Sequence, residues 1–512
     1  MKRIQLFLCA FVAMFMLSVN SAWAQYVKLT APNGTVSWID IKGTINGSNI
    51  EIYVPNNRAI DFATEGSLDL NEVWSESGGK GIHYQVTSIG ENAFVYCRGL
   101  TSVAIPSSVT SIGVEAFYYC EGLTSVELPS SLTSIERNAF YGCVGLTSIN
   151  LPSKLTSIGS NAFGGCTGLT SIKIPSSVTK ITSHAFSGCI NLNSIVVESG
   201  NSVYDSRNNC NAIIEKASNT LIAGCKNTKI PSGVTSIGYG AFTGCSGLTS
   251  IAIPSSVTSI GERAFIGCSG LTSIVVESGN SVYDSRENCN AIIETASNTL
   301  IGGCNYTKIP SGVTSFGNYA LFNCSGLTSI EIPSGVTSIG DYAFSGCSGL
   351  TSITSYITDV FKTGRNAFSG CNNATLYVPK GLVGAYQSMA DWNSIEKIEE
   401  MPGIALAMAC NNKGKITVNG GVQFTNDMGE VSVYDGTDNT FVFTPEENCE
   451  LEQVLIDGLD VTLSVKNNQL TTKIHNNSKM IVTFSKTGYD VNGDGAVDIS
   501  DVVKLVNFIL GQ

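Results

Sequence analysis

What most limits the fold open to this chain is a short motif that returns many times along it. LTSVELPSSLTSIERNAFYGCVG from Leu123, LTSINLPSKLTSIGSNAFGGCTG from Leu146 and LTSIKIPSSVTKITSHAFSGCIN from Leu169 are near copies of one another. Cys97, Cys120, Cys143, Cys166 and Cys189 stand 23 apart without error, as do the Ala-Phe pairs that precede them. A fixed period of this size marks a solenoid, in which each unit buries its apolar face only against its neighbours. Further on the spacing widens to 56, from Cys189 to Cys245 and again from Cys268 to Cys324. Each wide step is one rung of 23 plus one of 33. The long rungs begin IVVESGNSVYDSRNNCNAIIEKASNTLIAGC and IVVESGNSVYDSRENCNAIIETASNTLIGGC, and they add a super-period of 79. Eleven steps separate Cys97 from Cys371, which makes about twelve rungs. At ~4.8 Å between parallel strands, they would span roughly 55 Å.

Within a rung, Leu146, Ile149 and Leu151 belong to a short strand that Pro152 ends, since proline has no ladder donor. Leu155 and Ile158 form a second inward stretch, Ala162 and Phe163 lie in a short helical or turn segment, and Cys166 closes the rung. Seventeen cysteines would suit a disulfide scaffold. Ladder geometry predicts otherwise: equivalent side chains on adjacent rungs point the same way, near the rung spacing rather than the shorter Cβ separation of a bridge. The ladder set is therefore expected as buried thiols. Cys210 with Cys225 and Cys289 with Cys304, each flanking an expected hairpin, are the better candidates for disulfides.

The string LTSIxIPSSVTSIGxxAFxGC resembles the BspA-like, or Treponema-type, class of bacterial leucine-rich repeat, over about residues 84 to 400. The segment from Asn373 looks like the closing element of such arrays, with a short helix from Gly384 to Trp392 capping the last rung. The resemblance implies a leucine-rich-repeat solenoid of short parallel strands, on a secreted or surface protein of anaerobic, oral or gut bacteria. Some members are implicated in binding host matrix proteins or other bacteria.

The flanks fit that setting. Lys2 and Arg3, an apolar run from Ile4 to Val19 and Ala22-Trp23-Ala24 read as an export signal over residues 1–24, with Cys9 inside it. No later run is long and apolar enough to suggest a transmembrane anchor. Residues 25–83 alternate in short stretches and read as a β-rich cap over the open end of the array. Removing Lys2 and Arg3 takes the net charge from −12 to −14. No stripe of positive charge marks a nucleic-acid partner.

After Pro402 the repeat is gone. GKITVNG, GEVSVYDG, NTFVFTP, LEQVLIDGLDVTLSV and SKMIVTFSK predict a small antiparallel β domain over 404–487. Cys410 and Cys449 in it could either bridge or stay apart. Residues 488–512 hold one loop with oxygen ligands at calcium spacing: Asp490, Asn492 and Asp494, then Gly495 for the turn, the Ala496 carbonyl, Asp498 and Asp501. Asp501 in place of the usual Glu resembles the dockerin variant of this EF-hand-like loop. A complete dockerin, which docks to a cohesin, has two such loops, and this sequence holds one. The apolar side of the following helix, Val502 to Leu510, could pack on the β domain, pair with a second copy or meet a partner.

Catalytic constellations are missing from the sequence. The histidines are His83, His184 and His475, and no HExxH, GxSxG or phosphate-loop pattern occurs. His184, at a variable position before Ala185-Phe186, reads as exposed and solitary. Asp205 with Arg207, copied at Asp284 and Arg286, reads as a turn or salt-bridge pair, or else as a shared binding feature. These readings point to a non-enzymatic protein that binds an extracellular protein or glycan, with Tyr118, Tyr119 and Tyr141 as exposed anchors. The alternative is a scaffold subunit of a glycan-handling assembly, joined through the calcium-loop tail.

Overall fold

A computed structural model describes residues 86–401 in full and most of 403–486; for the strands between residues 25 and 85 it gives the backbone course. The calcium loop and the helix expected after it, residues 488–512, and the export segment, 1–24, lie outside the described residues. Two compact units divide the chain. The first holds residues up to 353 with 359–375 and 387–397; the second holds 354–358, 376–386 and everything from 398 on.

In the first unit most ordinary rungs contribute two parallel strand stretches. The rung from Leu146 keeps only the second, Ser157–Ile158; the stretch of Leu146, Ile149 and Leu151 expected as strand lies outside any sheet, although Leu146 and Ile149 are buried as expected. Ser134–Ile135 lies between Ser111–Ile112 and Ser157–Ile158, with Ser134 opposite Ser111 and Ser157. Ser171–Ile174 pairs in the same way with Ser194–Val197, Ile172 facing Ile195. The register shift is always one repeat, so each apolar side chain lands on its own copy. Between the two stretches the chain turns: Leu132 N–H donates to the Pro129 carbonyl and Leu155 N–H to that of Pro152.

A third backbone ladder runs through the Ala-Phe turns. Phe94 N–H donates to Ala116, Phe117 to Ala139 and Phe140 to Ala162, at 2.7, 2.7 and 2.8 Å. These segments are turns and not helix, because two residues in each hold positive φ. Asn138 before Ala139 has φ 57° and Gly142 before Cys143 has φ 71°, and helical propagation stops at such residues. Inside, Phe94, Phe117, Phe140, Phe163 and Phe186 form one continuous stack with centroids 5.1–5.6 Å apart.

None of the described cysteines is in a disulfide. Each ladder thiol instead donates back to the preceding rung: Cys120 Sγ to the Phe94 carbonyl at 3.0 Å, Cys143 to Phe117 and Cys166 to Phe140 at 3.1 Å. The pairs Cys210/Cys225 and Cys289/Cys304, expected as better disulfide candidates, are not bridged either. Cys210 and Cys225 donate to the Ala212 and Asn211 carbonyls. Nor are Cys410, inside the second core, and the half-buried Cys449.

The long rungs keep the ladder by substitution. In the first, Ala212–Glu215 and Thr220–Gly224 form an antiparallel hairpin, and Thr220–Gly224 pairs in parallel with Ser236–Ile237. Gly224 takes the place of the ladder phenylalanine, donating to Ala241, and the Phe242 ring occupies the space where its Cβ would be. The Tyr204 hydroxyl accepts from Ile181 N–H at 2.9 Å. Asp205 and Arg207 form a bidentate pair at 2.9–3.2 Å, and Arg207 also reaches Asn219 Oδ1 at 3.0 Å. The copy at Asp284, Arg286 and Asn298 repeats this, which makes the constellation a local brace.

Ahead of the array, Asn49–Tyr53 pairs in parallel with Gln85–Ile89 and Gly66–Asp69 with Leu100–Ala104, which extends both strand ladders by one place. At the far end the expected single helix is two pieces, a helix Val383–Ser388 and a 3-10 turn Trp392–Ser394. Trp392 stacks on Phe368 at 4.8 Å and donates to the Phe361 carbonyl.

The second unit holds the β domain. One sheet orders Met428–Tyr434, Gly403–Cys410, Lys479–Lys486, Cys449–Ile456 and Leu459–Asp460; the other orders Val422–Phe424, Gly414–Val418, Asp438–Pro445 and Gln469–Lys473. Met408, Phe441, Phe443 and Phe484 from both sheets share one core. The domain is not wholly antiparallel, since Gly403–Cys410 runs parallel to Lys479–Lys486.

The thiol column generates a prediction. Burial, then the neighbouring thiols, push Cys143 and Cys166 well above the ordinary value of 9.0, and burial raises Cys371 to about 12. The unfolded chain therefore ionises first. Stability is full below about pH 9 and is lost as pH rises from there toward the folded values. Urea midpoints are expected to fall between about pH 8 and about pH 10.5, less steeply in Cys166→Ala, and iodoacetamide should label the ladder only after unfolding.

Candidate functional site

On the outside of the Ala-Phe turns, two side-chain columns run along the array. One is the residue after phenylalanine: Val95, Tyr118, Tyr141, Gly164. The other is the residue before cysteine: Tyr96, Tyr119, Gly142, Gly165. Tyr118 stacks on Tyr141 at 5.3 Å, and Tyr96 on Tyr119 at 5.7 Å. Edge contacts of Tyr118 with Tyr119 at 4.6 Å and of Tyr119 with Tyr141 at 5.6 Å knit the columns together. Two glycines make room for this. A Cβ on Gly142 would stand 2.7 Å from the Tyr119 ring, and one on Gly164 the same distance from the Tyr141 ring.

The three tyrosines expected as exposed anchors are therefore brought together, but they are half-buried against one another. The exposed member is Tyr96, at 44%. Reading the sequence passed it over, although its place one repeat before Tyr119 was the signal. Arg98 lies over the Tyr96 ring at 5.9 Å and pairs with Glu121 at 3.3 Å. Loss of hydration, and then the neighbouring phenols and Glu115, raise the Tyr118 hydroxyl; burial, and then Tyr119, raise Tyr141. Tyr118 and Tyr141 thus present ring faces and protonated hydroxyls near neutral pH.

A second column starts at His184. It is neither exposed nor solitary: it is half-buried, Tyr239 meets its ring edge-on at 5.1 Å, and Gly240 lies directly beneath its imidazole. Burial and then the Arg263 charge lower its pKa. Arg263 covers the Tyr319 ring at 4.6 Å and donates to its hydroxyl at 2.7 Å, Tyr319 stacks on Tyr342 at 5.2 Å, and Arg365 lies over Tyr342. Among the described residues no group of three or more His, Cys, Asp or Glu could hold a metal ion. Likewise no described helix is long and apolar enough to cross a membrane.

Fold and surface together define a parallel-stranded repeat solenoid carrying aromatic columns. Residues 87–213, 213–302 and 292–399 match the BspA type leucine rich repeat region, and the chain belongs to that family. Among solved structures it is similar to a leucine rich cell surface protein from Faecalibacterium prausnitzii A2-165, with 25% identity over 66% of this chain and 96% of that one and a TM-score of 0.41. A leucine-rich repeat protein from Bacteroides ovatus ATCC 8483 is 25% identical over 72% of this chain and 99% of that one, with a TM-score of 0.34. The leucine rich repeat protein of T. pallidum is 27% identical over 46% and 88%, with a TM-score of 0.30. No curated protein matches the chain.

The glycine supports are open to test. Gly142→Ala puts a methyl group into the Tyr119 ring at a position with φ 71°. The variant should lose about 1–3 kcal/mol in a denaturant melt and change the tyrosine near-ultraviolet circular dichroism, whereas the exposed Ser153→Ala should do neither.

Proposed function

We propose that the protein is a non-catalytic adhesion or protein-binding protein working outside the cell, and that the patch of Tyr96, Tyr118, Tyr119 and Tyr141 is its contact surface for an extracellular protein or glycan. The observation that carries this reading is backbone conformation. Tyr96 and Tyr119 hold φ of 60° and 53° at a position where most rungs carry glycine. A bulky side chain in that region costs free energy, and such strain collects at functional sites. Rigid aromatic faces that lose little entropy on binding are the usual anchors of protein recognition. The export signal read in residues 1–24 supports the setting. A cap over 25–83, the array over 84–400, the β domain over 404–487 and a tail over 488–512 complete the proposed organisation.

Tyr96→Ala/Tyr119→Ala keeps a Cβ at both left-handed positions, so it leaves the backbone strain as it is and removes only ring area, and its urea melt and circular dichroism check that it folds. Against a panel of matrix proteins, mucins, glycans and bacterial cells, the parent should bind at least one member and the double variant should lose roughly tenfold or more. A parent that ignores the whole panel, or a variant that binds as well, overturns the assignment.

The tail is proposed to bind calcium through Asp490, Asn492, Asp494, the Ala496 carbonyl, Asp498 and Asp501. These carboxylates repel one another without a cation, and hard oxygen ligands at this spacing suit calcium better than the tighter shell of magnesium. Calorimetry on the full chain should give heat with calcium, little with magnesium, and none in Asp490→Ala. If the tail instead joins an assembly, through a cohesin-like partner or a second copy, deleting residues 490–512 abolishes that and leaves binding by the tyrosine patch intact.

A further inference from the structure

The two copies of the long repeat nearly coincide in sequence, yet they close differently where a long rung lets two Ala-Phe turns meet. In the first copy the turns at 184–189 and 240–245 join: Gly188 N–H donates to the Thr243 carbonyl at 3.0 Å. Phe186 is buried there, as are Ala223 and Gly224 beneath it. In the second copy the residues equivalent to Gly188, Thr243, Phe186, Ala223 and Gly224 are Gly267, Phe322, Phe265, Gly302 and Gly303. Among the described residues no bond joins Gly267 to Phe322, and Phe265 and Gly303 are both partly exposed. The cause is local. Thr243 has become Phe322 and Gly240 has become Tyr319, two bulky groups on the turn, while Ala223 has become the smaller Gly302. The turns are parted above and the floor is hollowed below.

The result is a cleft of about 260 Å³, with Phe265, Ile301 and Phe322 on its apolar side and Glu262, Arg263 and Glu294 among its polar lining. That volume is near the lower end for ligand pockets, enough for one small ring and too little for a folded segment. Arg263 stands with its guanidinium over Tyr319, in none of the ion pairs among the described residues. Aromatic faces opposite planar, multiply hydrogen-bonding groups are what a pyranose requires. Its C–H face stacks on a ring, while neighbouring hydroxyls donate to carboxylates and accept from guanidinium. Two carboxylates oppose an acidic sugar, and a purely apolar side chain would make no use of the hydrogen-bonding groups in the lining.

We infer that the cleft between turns 261–268 and 317–324 is a binding site for a single neutral hexopyranose unit of a glycan. It is separate from the tyrosine patch, and different substitutions abolish each. Gly302→Ala/Phe322→Thr restores two side chains of the first copy at positions that line the cleft; a Cβ on Gly302 would meet only Ile292 and Phe265, at 3.7 and 3.9 Å, so that methyl group fills space without a clash. Arg263→Met removes the guanidinium from the surface and serves if the filled variant misfolds.

The probes are the methyl glycosides of glucose, galactose, mannose and N-acetylglucosamine, titrated into the full chain by saturation-transfer NMR, with benzyl alcohol as the uncharged, mainly apolar control. At least one glycoside should bind, both variants should weaken it by roughly tenfold or more, and Tyr96→Ala/Tyr119→Ala should leave it unchanged. The site is overturned if no glycoside binds up to roughly 10 mM. It is equally overturned if the variants bind as the parent does, or if only benzyl alcohol is taken.

Discussion

The molecule depends on one constraint: every rung must present the same residue at the same place as the rung before it. Backbone pairing alone could slip, since strands as short as Ser134–Ile135 carry few bonds. The side chains forbid it. Phe117 and Phe140 lie face to face at 5.1 Å, and both are wholly buried. Each such ring contributes about 1.5–3 kcal/mol by leaving water, and its neighbours above and below supply most of its contacts. The thiol of the following cysteine then donates to the carbonyl of the phenylalanine one rung back. A slipped rung would lose ring stack, thiol bond and strand register together.

The same repetition decides where chemistry can be added. Inward positions are fixed by their copies, and the strand faces carry hydroxyls already tied to the ladder, as Thr133 Oγ1 is to the Thr110 carbonyl. The Ala-Phe turns are different. Their two left-handed positions favour glycine or asparagine on backbone grounds, and Asn138, Asn161, Gly142 and Gly165 comply. Glu115, Tyr119, His184, Arg263 and Tyr319 do not, although each holds φ between 53° and 63°. A backbone that tolerates these residues does so because the ladder bonds on either side of them leave no alternative conformation. The aromatic and charged columns stand on that tolerance.

Much of this was legible in the sequence because a repeat is its own alignment. Cys97 to Cys189 at equal spacing defined the rung, Pro152 its turn, and ladder geometry set aside disulfides for the main cysteine column. Three things were not legible. That Tyr118, Tyr119 and Tyr141 cover one another depends on which side of a turn each leaves, and this follows from φ at Tyr119 rather than from residue type. His184 read as solitary because Tyr239 belongs to a turn beyond the whole long rung, and only the withdrawal of that rung from the turn column brings them together. Phe186 and Phe265 are identical in sequence, but one is buried and the other is not, because their surroundings differ at Thr243 and Phe322.

That last comparison bears on how function is read in a repetitive chain. What the two copies share, the Tyr-Asp-Ser-Arg brace, the hairpin and the glycine in place of phenylalanine, serves the ladder and is accounted for by contacts inside the rung. What they do not share has no such account. Changing Gly240 to Tyr319 and Thr243 to Phe322 costs the bond between Gly188 and Thr243 and exposes a ring that the first copy buries. Shrinking Ala223 to Gly302 gives up further packing. Three changes that each weaken one junction, and that together open one space, run against the agreement between levels that the phenylalanine and thiol columns show. Local inconsistency of this kind is where a fold gives up stability for a site.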